Sequence, residues 1–182
     1  MIARRGVGRT FQDPRIFYEM TVLEHVIAGM HLRSDNPWWA VLRDRRTRSE
    51  YRAAVDRARK LLASVGLDGR ENEKAQNLSF GEQRYLSIAR TLAGDPSLIL
   101  LDEPTVGLDR SGIAKLSAIM DTLVREQRRT LLIVEHNLDV VFALSDHIHL
   151  LLAGKVVLSG KPGEIRRHPR MIEAYLGAAN GA

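Results

Sequence analysis

The chain reads as an α/β protein built on a mostly parallel sheet, because two short apolar runs without polar alternation flank a stretch of helical periodicity. Ser97 to Leu101 (SLILL) is the first run and Thr130 to Val134 (TLLIV) the second. A half-solvated strand would alternate, so runs of this kind are expected to be strands covered on both faces. Between them Ile113, Leu116, Ile119, Met120, Leu123 and Val124 recur at the spacing of one helix face. Strand, helix and strand make one crossover unit of a doubly wound sheet, expected to be right-handed. Ligands in such sheets gather beyond the carboxyl ends of the strands. Asp102 and Glu103 fall there after the first run, Glu135 and His136 after the second.

The segment before the acids, LSFGEQRYLSIARTLAGDP, offers Ser79 as a helix cap and Gly81 where backbone can come close to a ligand. Leu86, Ile88, Ala89, Leu92 and Ala93 then form an apolar helix face. Unbonded amides and the dipole at such a helix start favour an anion, phosphate included. Downstream, HIHLLLAGKVVLSG alternates Ile148, Leu150 and Leu152, turns at Gly154 and returns through Val156 to Leu158. That is the pattern of a hairpin at a sheet edge. His147 and His149 share one face of it and, with no further ligands nearby in sequence, read as surface residues rather than a metal site. At the C-terminus PGEIRRHPRMIEAYLG gives a Pro-started turn and a short helix ended by Gly177.

Composition excludes several classes. The 182 residues are 45% hydrophobic, enough for one sizeable core with a smaller lobe attached. Cysteine is absent, which removes disulfides and thiolate metal sites and fits a reducing compartment. No apolar run reaches the ~18 residues that a membrane span needs, and the N-terminus has no apolar signal core. Between Arg33 and Lys60 nine Lys/Arg stand against four Asp/Glu, a surplus equal to the whole net charge of +5. That segment carries Trp38 and Trp39 and reads as a solvated helix face, with a membrane surface, an acidic partner or nucleic acid as the other uses of its charge.

Taken together, LSFGEQ, then LILLDEP, then GLD, then a strand ending in EH resemble the nucleotide-binding subunits of ATP-binding cassette (ABC) transporters. In that family these are the signature motif, Walker B, D-loop and switch histidine, and Gln12 in GRTFQDPRIF resembles the Q-loop glutamine. The segments RRGVGRTFQDPRIFYEMTVLEHVIAG and EIRRHPRMIEAYLG look most like the branched-chain amino acid uptake branch. The resemblance implies a P-loop NTPase-like (RecA-like) core with an inserted helical subdomain. Residues 1–29 would be the Q-loop segment of the core, residues 30–95 the helical subdomain ending in the signature motif and its helix, and residues 96–182 the rest of the core.

The resemblance also implies roles. Asp102 would anchor Mg²⁺, and Glu103 would polarise the water that attacks the γ-phosphate of ATP. His136 would contact that phosphate, and Gln12 would reach metal and water while sensing the transmembrane partner. Ser79 and Gly81, with Glu82 and Gln83 beside them, would bind ATP held by a second ATP-binding subunit, and Asp109 would lie at that interface. The implied partners are that second subunit, permease chains and, indirectly, a substrate-binding protein, with no nucleic acid. The implied location is the inner face of the cell membrane, peripherally, from the cytoplasm.

One family element is missing from the sequence. No G-x-x-x-x-G-K-[ST] occurs, since the two Gly-Lys pairs, at Gly154 and Gly160, lead into Val and Pro. Such a loop gives backbone amides and a lysine to the phosphates. Charge-assisted hydrogen bonds contribute about 1.5–3 kcal/mol each, so losing three weakens ATP binding by roughly three to six powers of ten. The expectation is a chain that begins inside a longer gene, without the N-terminal strands and P-loop, and one sheet face left uncovered with apolar surface exposed. A degenerate subunit completing a partner's site in trans is the alternative. A basic nucleic-acid-binding protein ranks last, because no RNA-binding signature accompanies the charge.

Overall fold

A computed structural model describes residues 5–30 and 45–171. Trp38, Trp39, the first part of the basic segment and Gly177 lie outside the described residues. The chain divides into two compact units, Met1–Val134 and Glu135–Ala182.

In the first unit β1 (Val7–Arg9), β2 (Leu98–Asp102) and β3 (Thr130–Val134) form a three-stranded sheet in the order β1-β2-β3, both pairs parallel. Between β1 and β2 run α1 (Val22–Met30), α2 (Arg45–Ser64), a 3₁₀ turn (Ala75–Asn77) and α3 (Phe80–Ala93), and α4 (Arg110–Arg125) links β2 to β3. The strand expected at Ser97–Leu101 thus begins and ends one residue later. Ser79 caps α3 as expected, in a capping box: Ser79 Oγ accepts the Glu82 N–H and Glu82 Oε2 accepts the Ser79 N–H at 2.8 Å. All five residues of the expected apolar face of α3 are buried. In α4, Leu116, Ile119, Met120 and Leu123 are buried, while Ile113 and Val124 are half-buried.

One sheet face is packed and the other is open. Gly8 lies in register with Ile99, and a Cβ on it would sit 2.6 Å from Thr91 Cγ2, so α3 presses on this side. Ile99 and Leu101 of the same face are buried. On the opposite face Leu132 and Val134 are 55% and 60% exposed. The expectation that β3 is covered on both faces therefore fails: its residues alternate between exposed and half-buried. The expected uncovered apolar face is present.

The helices hold each other by close approach. A Cβ at Gly29 of α1 would fall 2.2 Å from the Arg90 carbonyl oxygen of α3, so only glycine fits there. The basic helix α2 buries Ala58 and Leu62 and exposes Arg52, Arg57, Arg59 and Lys60, the solvated face expected of it.

The second unit contains α5 (Leu138–Leu144), the antiparallel pair β4 (Ile148–Leu152) and β5 (Lys155–Gly160), and α6 (Pro162–Arg166) with Pro at its start. Ala153 and Gly154 link the strands with φ of 47° and 77°, the doubly left-handed tight turn that suits hairpin twist. Ile148, Ile165 and Met171 form its small core, with Leu138, Val141, Phe142, Leu150 and Leu158 packed around them. The His147 and His149 rings lie 4.9 Å apart at their centroids, tilted by 53°, and His147 Nε2 lies 2.9 Å from Ser159 Oγ.

Candidate functional site

The carboxyl ends of β1 and β2 bring together residues far apart in sequence. Asp102 is the last residue of β2, and the Glu103 N–H extends the ladder to the Val134 carbonyl at 2.9 Å. Beyond β1, the Thr10 N–H continues to the Leu100 carbonyl at 3.0 Å and delivers Gln12 to the same rim. There Gln12 Nε2 donates to Glu103 Oε2 at 2.7 Å. Glu103 takes φ of 43°, a left-handed backbone that a non-glycine residue adopts at a cost of about 1–2 kcal/mol. Asp102 points to the open face, 38% exposed, with Arg9 Nη2 3.4 Å from its Oδ2.

The start of α3 is a second cluster. Glu82 accepts from the Ser79 backbone and hydroxyl and from Arg70 Nη1 at 2.8 Å, while Arg70 also pairs with Glu73. Burial pushes the Glu82 carboxyl up, but the Ser79 donors and Arg70 outweigh it and hold it below the usual carboxylate value. Gln83 Nε2 donates to the Leu78 carbonyl at 3.0 Å. A Cβ at Gly81 would lie 3.1 Å from Leu108 Cδ2. Asp109 caps α4, its Oδ1 accepting the Gly112 N–H at 2.7 Å. This cluster is joined to the α4 start through Tyr85, whose hydroxyl donates to the Gly112 carbonyl at 3.0 Å. Burial, with Asp109 and Glu82 nearby, raises the Tyr85 phenol above its ordinary value.

In the second unit, the Glu135 side chain is fully buried and accepts the His136 and Asn137 N–H groups at 2.9 and 3.1 Å, ahead of α5. His136 itself is 70% exposed on its side chain.

Four residues at these clusters were not singled out in the sequence: Arg9, Arg70, Arg84 and Arg90. Arg84 and Arg90 both lie on α3 and both donate to carbonyls of the segment after β1, Gln12 and Arg15. The signal available was Arg84 itself, a charge set directly before the buried run of α3.

A nucleotide with Mg²⁺ can be tested against the donor set. Mg²⁺ takes few protein oxygens and completes its shell with phosphate oxygens and water. Asp102 and the Gln12 amide oxygen at one rim fit that demand. Among the described residues no cluster of three or more His, Cys, Asp or Glu is poised to hold a metal without a phosphate.

The sequence profile of the family "ABC transporter" matches residues 1–106. The chain is 38% identical over 182 residues to the high-affinity branched-chain amino acid transport ATP-binding protein LivG of Salmonella typhimurium, covering 98% of this chain and 70% of that protein. It belongs to the ABC transporter family.

BraF of Pseudomonas aeruginosa, of the same description, is 37% identical over 179 residues, covering 98% of this chain and 70% of the relative. Among solved structures, the ADP conformation of MJ1267, an ATP-binding cassette of an ABC transporter, superposes with a TM-score of 0.77 at 28% identity, over 97% of this chain and 70% of that one. This ABC chain thus has the P-loop NTPase fold of the transport ATPases, a nucleotide-binding family, and is an ATP-binding subunit of the importer kind. Among the described residues, no helix of it is long and apolar enough to cross a membrane.

Proposed function

We propose that this ABC chain, within an ATP-binding subunit whose P-loop lies outside these 182 residues, takes part in the ATP hydrolysis that drives import of branched-chain amino acids or related compounds. It works as one of two ATP-binding subunits, peripheral on the cytoplasmic membrane face, with permease chains and, through them, a substrate-binding protein. The observation that carries this reading is the meeting of Gln12 with Glu103 beside Asp102, across 91 positions of sequence, at the carboxyl ends of two parallel strands. The amino-acid class rests on LivG and BraF. In this reading residues 1–29 and 96–182 belong to the ATPase core, and residues 30–95 form the helical subdomain that docks on the permease.

Phosphoryl transfer needs positioning and neutralisation of developing charge more than covalent chemistry from the protein. Asp102 would hold Mg²⁺, usually through water, with the Gln12 amide oxygen as a second donor. The bound ion would supply the charge neutralisation on the phosphoryl oxygens. Glu103 would accept a hydrogen bond from the attacking water, with the Gln12 N–H fixing which carboxylate oxygen stays available. His136 would donate to the γ-phosphate. Ser79 and Gly81 would face the nucleotide held by the other subunit, where Glu82 and Gln83 shape the helix start and Asp109 fixes the neighbouring one.

The test is amino-acid-driven ATP hydrolysis by the transporter assembled in vesicles, comparing the native chain with Glu103→Gln. Loss of about 10²-fold or more is expected for removal of a group that polarises the attacking water. Retained hydrolysis would remove Glu103 from the chemistry, and hydrolysis indifferent to leucine-type substrates would remove the amino-acid assignment.

A further inference from the structure

We infer that Arg84 is a positioning residue that ties the start of α3 to both members of the Gln12–Glu103 pair, so that the two move as one body with the signature helix. The inference rests on the site reading above. Arg84 is 4% exposed. Its Nη1 donates to the Glu103 carbonyl at 3.0 Å and its Nη2 to the Gln12 carbonyl at 3.2 Å. One planar guanidinium therefore grips the backbones of the two residues whose side chains are themselves bonded at 2.7 Å.

The rest of the surroundings reinforce this closed ring. The Arg84 guanidinium carbon lies 5.1 Å from the Phe80 ring centre, one turn back on α3, and a Cβ at Gly107 would meet that ring at 2.8 Å. A chain of contacts thus runs from the loop before α4 through Phe80 and Arg84 to the carbonyls of Gln12 and Glu103. One helical turn and a half further on, Arg90 Nη1 donates to the Arg15 carbonyl at 2.6 Å, and from α1 His25 Nε2 accepts the Phe17 N–H at 2.9 Å. The segment Gln12–Phe17 has little regular hydrogen bonding of its own and is held by these three side chains. Of the three, only Arg84 also holds Glu103, whose left-handed backbone has to be imposed by its neighbours.

Charge alone does not explain the arrangement. Lysine offers a point charge on a flexible stem, whereas arginine's fork reaches two divergent carbonyls at once. Arg84→Lys therefore keeps the charge and can satisfy one carbonyl but not both, and Arg84→Met keeps the bulk and satisfies neither.

Hydrogen exchange of the full chain tests this directly. In Arg84→Met, exchange in the 10–17 and 103–106 segments is expected to rise together by about tenfold or more, with the amides of β3 and of α3 beyond Ile88 unchanged, as local opening requires. Arg84→Lys is expected to protect one segment and release the other, a split that loss of general packing would not produce. Unchanged exchange of both segments in Arg84→Met, or a uniform rise across the unit, would overturn the inference. In the assembled transporter Arg84→Lys is expected to lower kcat by about tenfold with KM within about twofold, since positioning of the reacting groups is lost while ground-state binding is kept. An equal loss through KM would also overturn it. Failure of the underlying site reading shows differently, as full hydrolysis by Glu103→Gln, whatever the exchange pattern of the Arg84 variants.

Discussion

His25 shows what a single side chain can do for the loop beside the site. It is fully buried, and its two ring nitrogens have fixed roles: Nδ1 donates to the Thr21 carbonyl at 3.0 Å and Nε2 accepts the Phe17 N–H at 2.9 Å. Burial lowers its pKa from 6.5, the Thr21 carbonyl opposes this, and Arg90 and Glu24, the charged groups facing it, lower and raise it respectively. The unfolded chain thus binds the proton more readily than the folded one, so stability rises with pH in this window. The contribution is complete above about pH 6.5 and is lost as pH falls toward the lowered native value. Urea midpoints of the native chain are expected to fall between pH 7.5 and 5.5 more than those of His25→Gln. Equal pH slopes would show that folding leaves the imidazole's proton affinity unchanged. The histidine was not legible in the sequence, because its role depends on the reverse turn at Phe17–Met20, which no periodicity announces.

At the scale of elements, the packing of α1 on α3 depends on the absence of a side chain. Gly29→Ala would place a methyl 2.2 Å from the Arg90 carbonyl oxygen, which is backbone and cannot turn away. Overpacking of this kind costs about 1–3 kcal/mol, here read as a lower urea midpoint at unchanged slope. A neutral Ala variant would mean that the two helices can slide apart freely. Elements were the most legible part of the molecule. The helix at Phe80–Ala93, the strands at Leu98–Asp102 and Thr130–Val134 and the hairpin turn at Gly154 follow from capping, apolar runs and turn chemistry within a residue or so. The site was half legible: the acid pair and Gln12 are readable as motif positions, but their contact across 91 residues is set by β1 pairing with β2. The arginines that fix the pair escaped notice because a charge inside a helix reads as solvent-facing until the loop that takes its hydrogen bonds is placed.

On the scale of the whole molecule, the open sheet face is one of the exposed apolar surfaces among the described residues, beside those at Phe17, Tyr18, Leu151 and Val156. Leu132 and Val134 are side by side on one strand face, each more than half exposed, while the other face of the sheet is packed. The sequence marked both residues as core because an apolar run records what a strand is suited to meet, not whether the partner layer is present. An apolar patch of this kind attracts dyes and other chains. Leu132→Thr with Val134→Thr is expected to lower the fluorescence of bound anilinonaphthalene sulfonate by about twofold and to raise the concentration at which the chain self-associates. Both changes are surface substitutions, so stability should move by no more than about 0.5 kcal/mol each. Undiminished dye binding would locate the apolar surface elsewhere.

The left-handed backbone at Glu103 has a meaning for how freely this position can vary. Glycine or asparagine would rest there more comfortably than glutamate. Selection for foldability alone would drift toward them and away from an acid. Under the role proposed for Glu103, the glutamate that stands there gives up backbone ease for a carboxylate, and libraries of stabilising substitutions will offer residues that remove it.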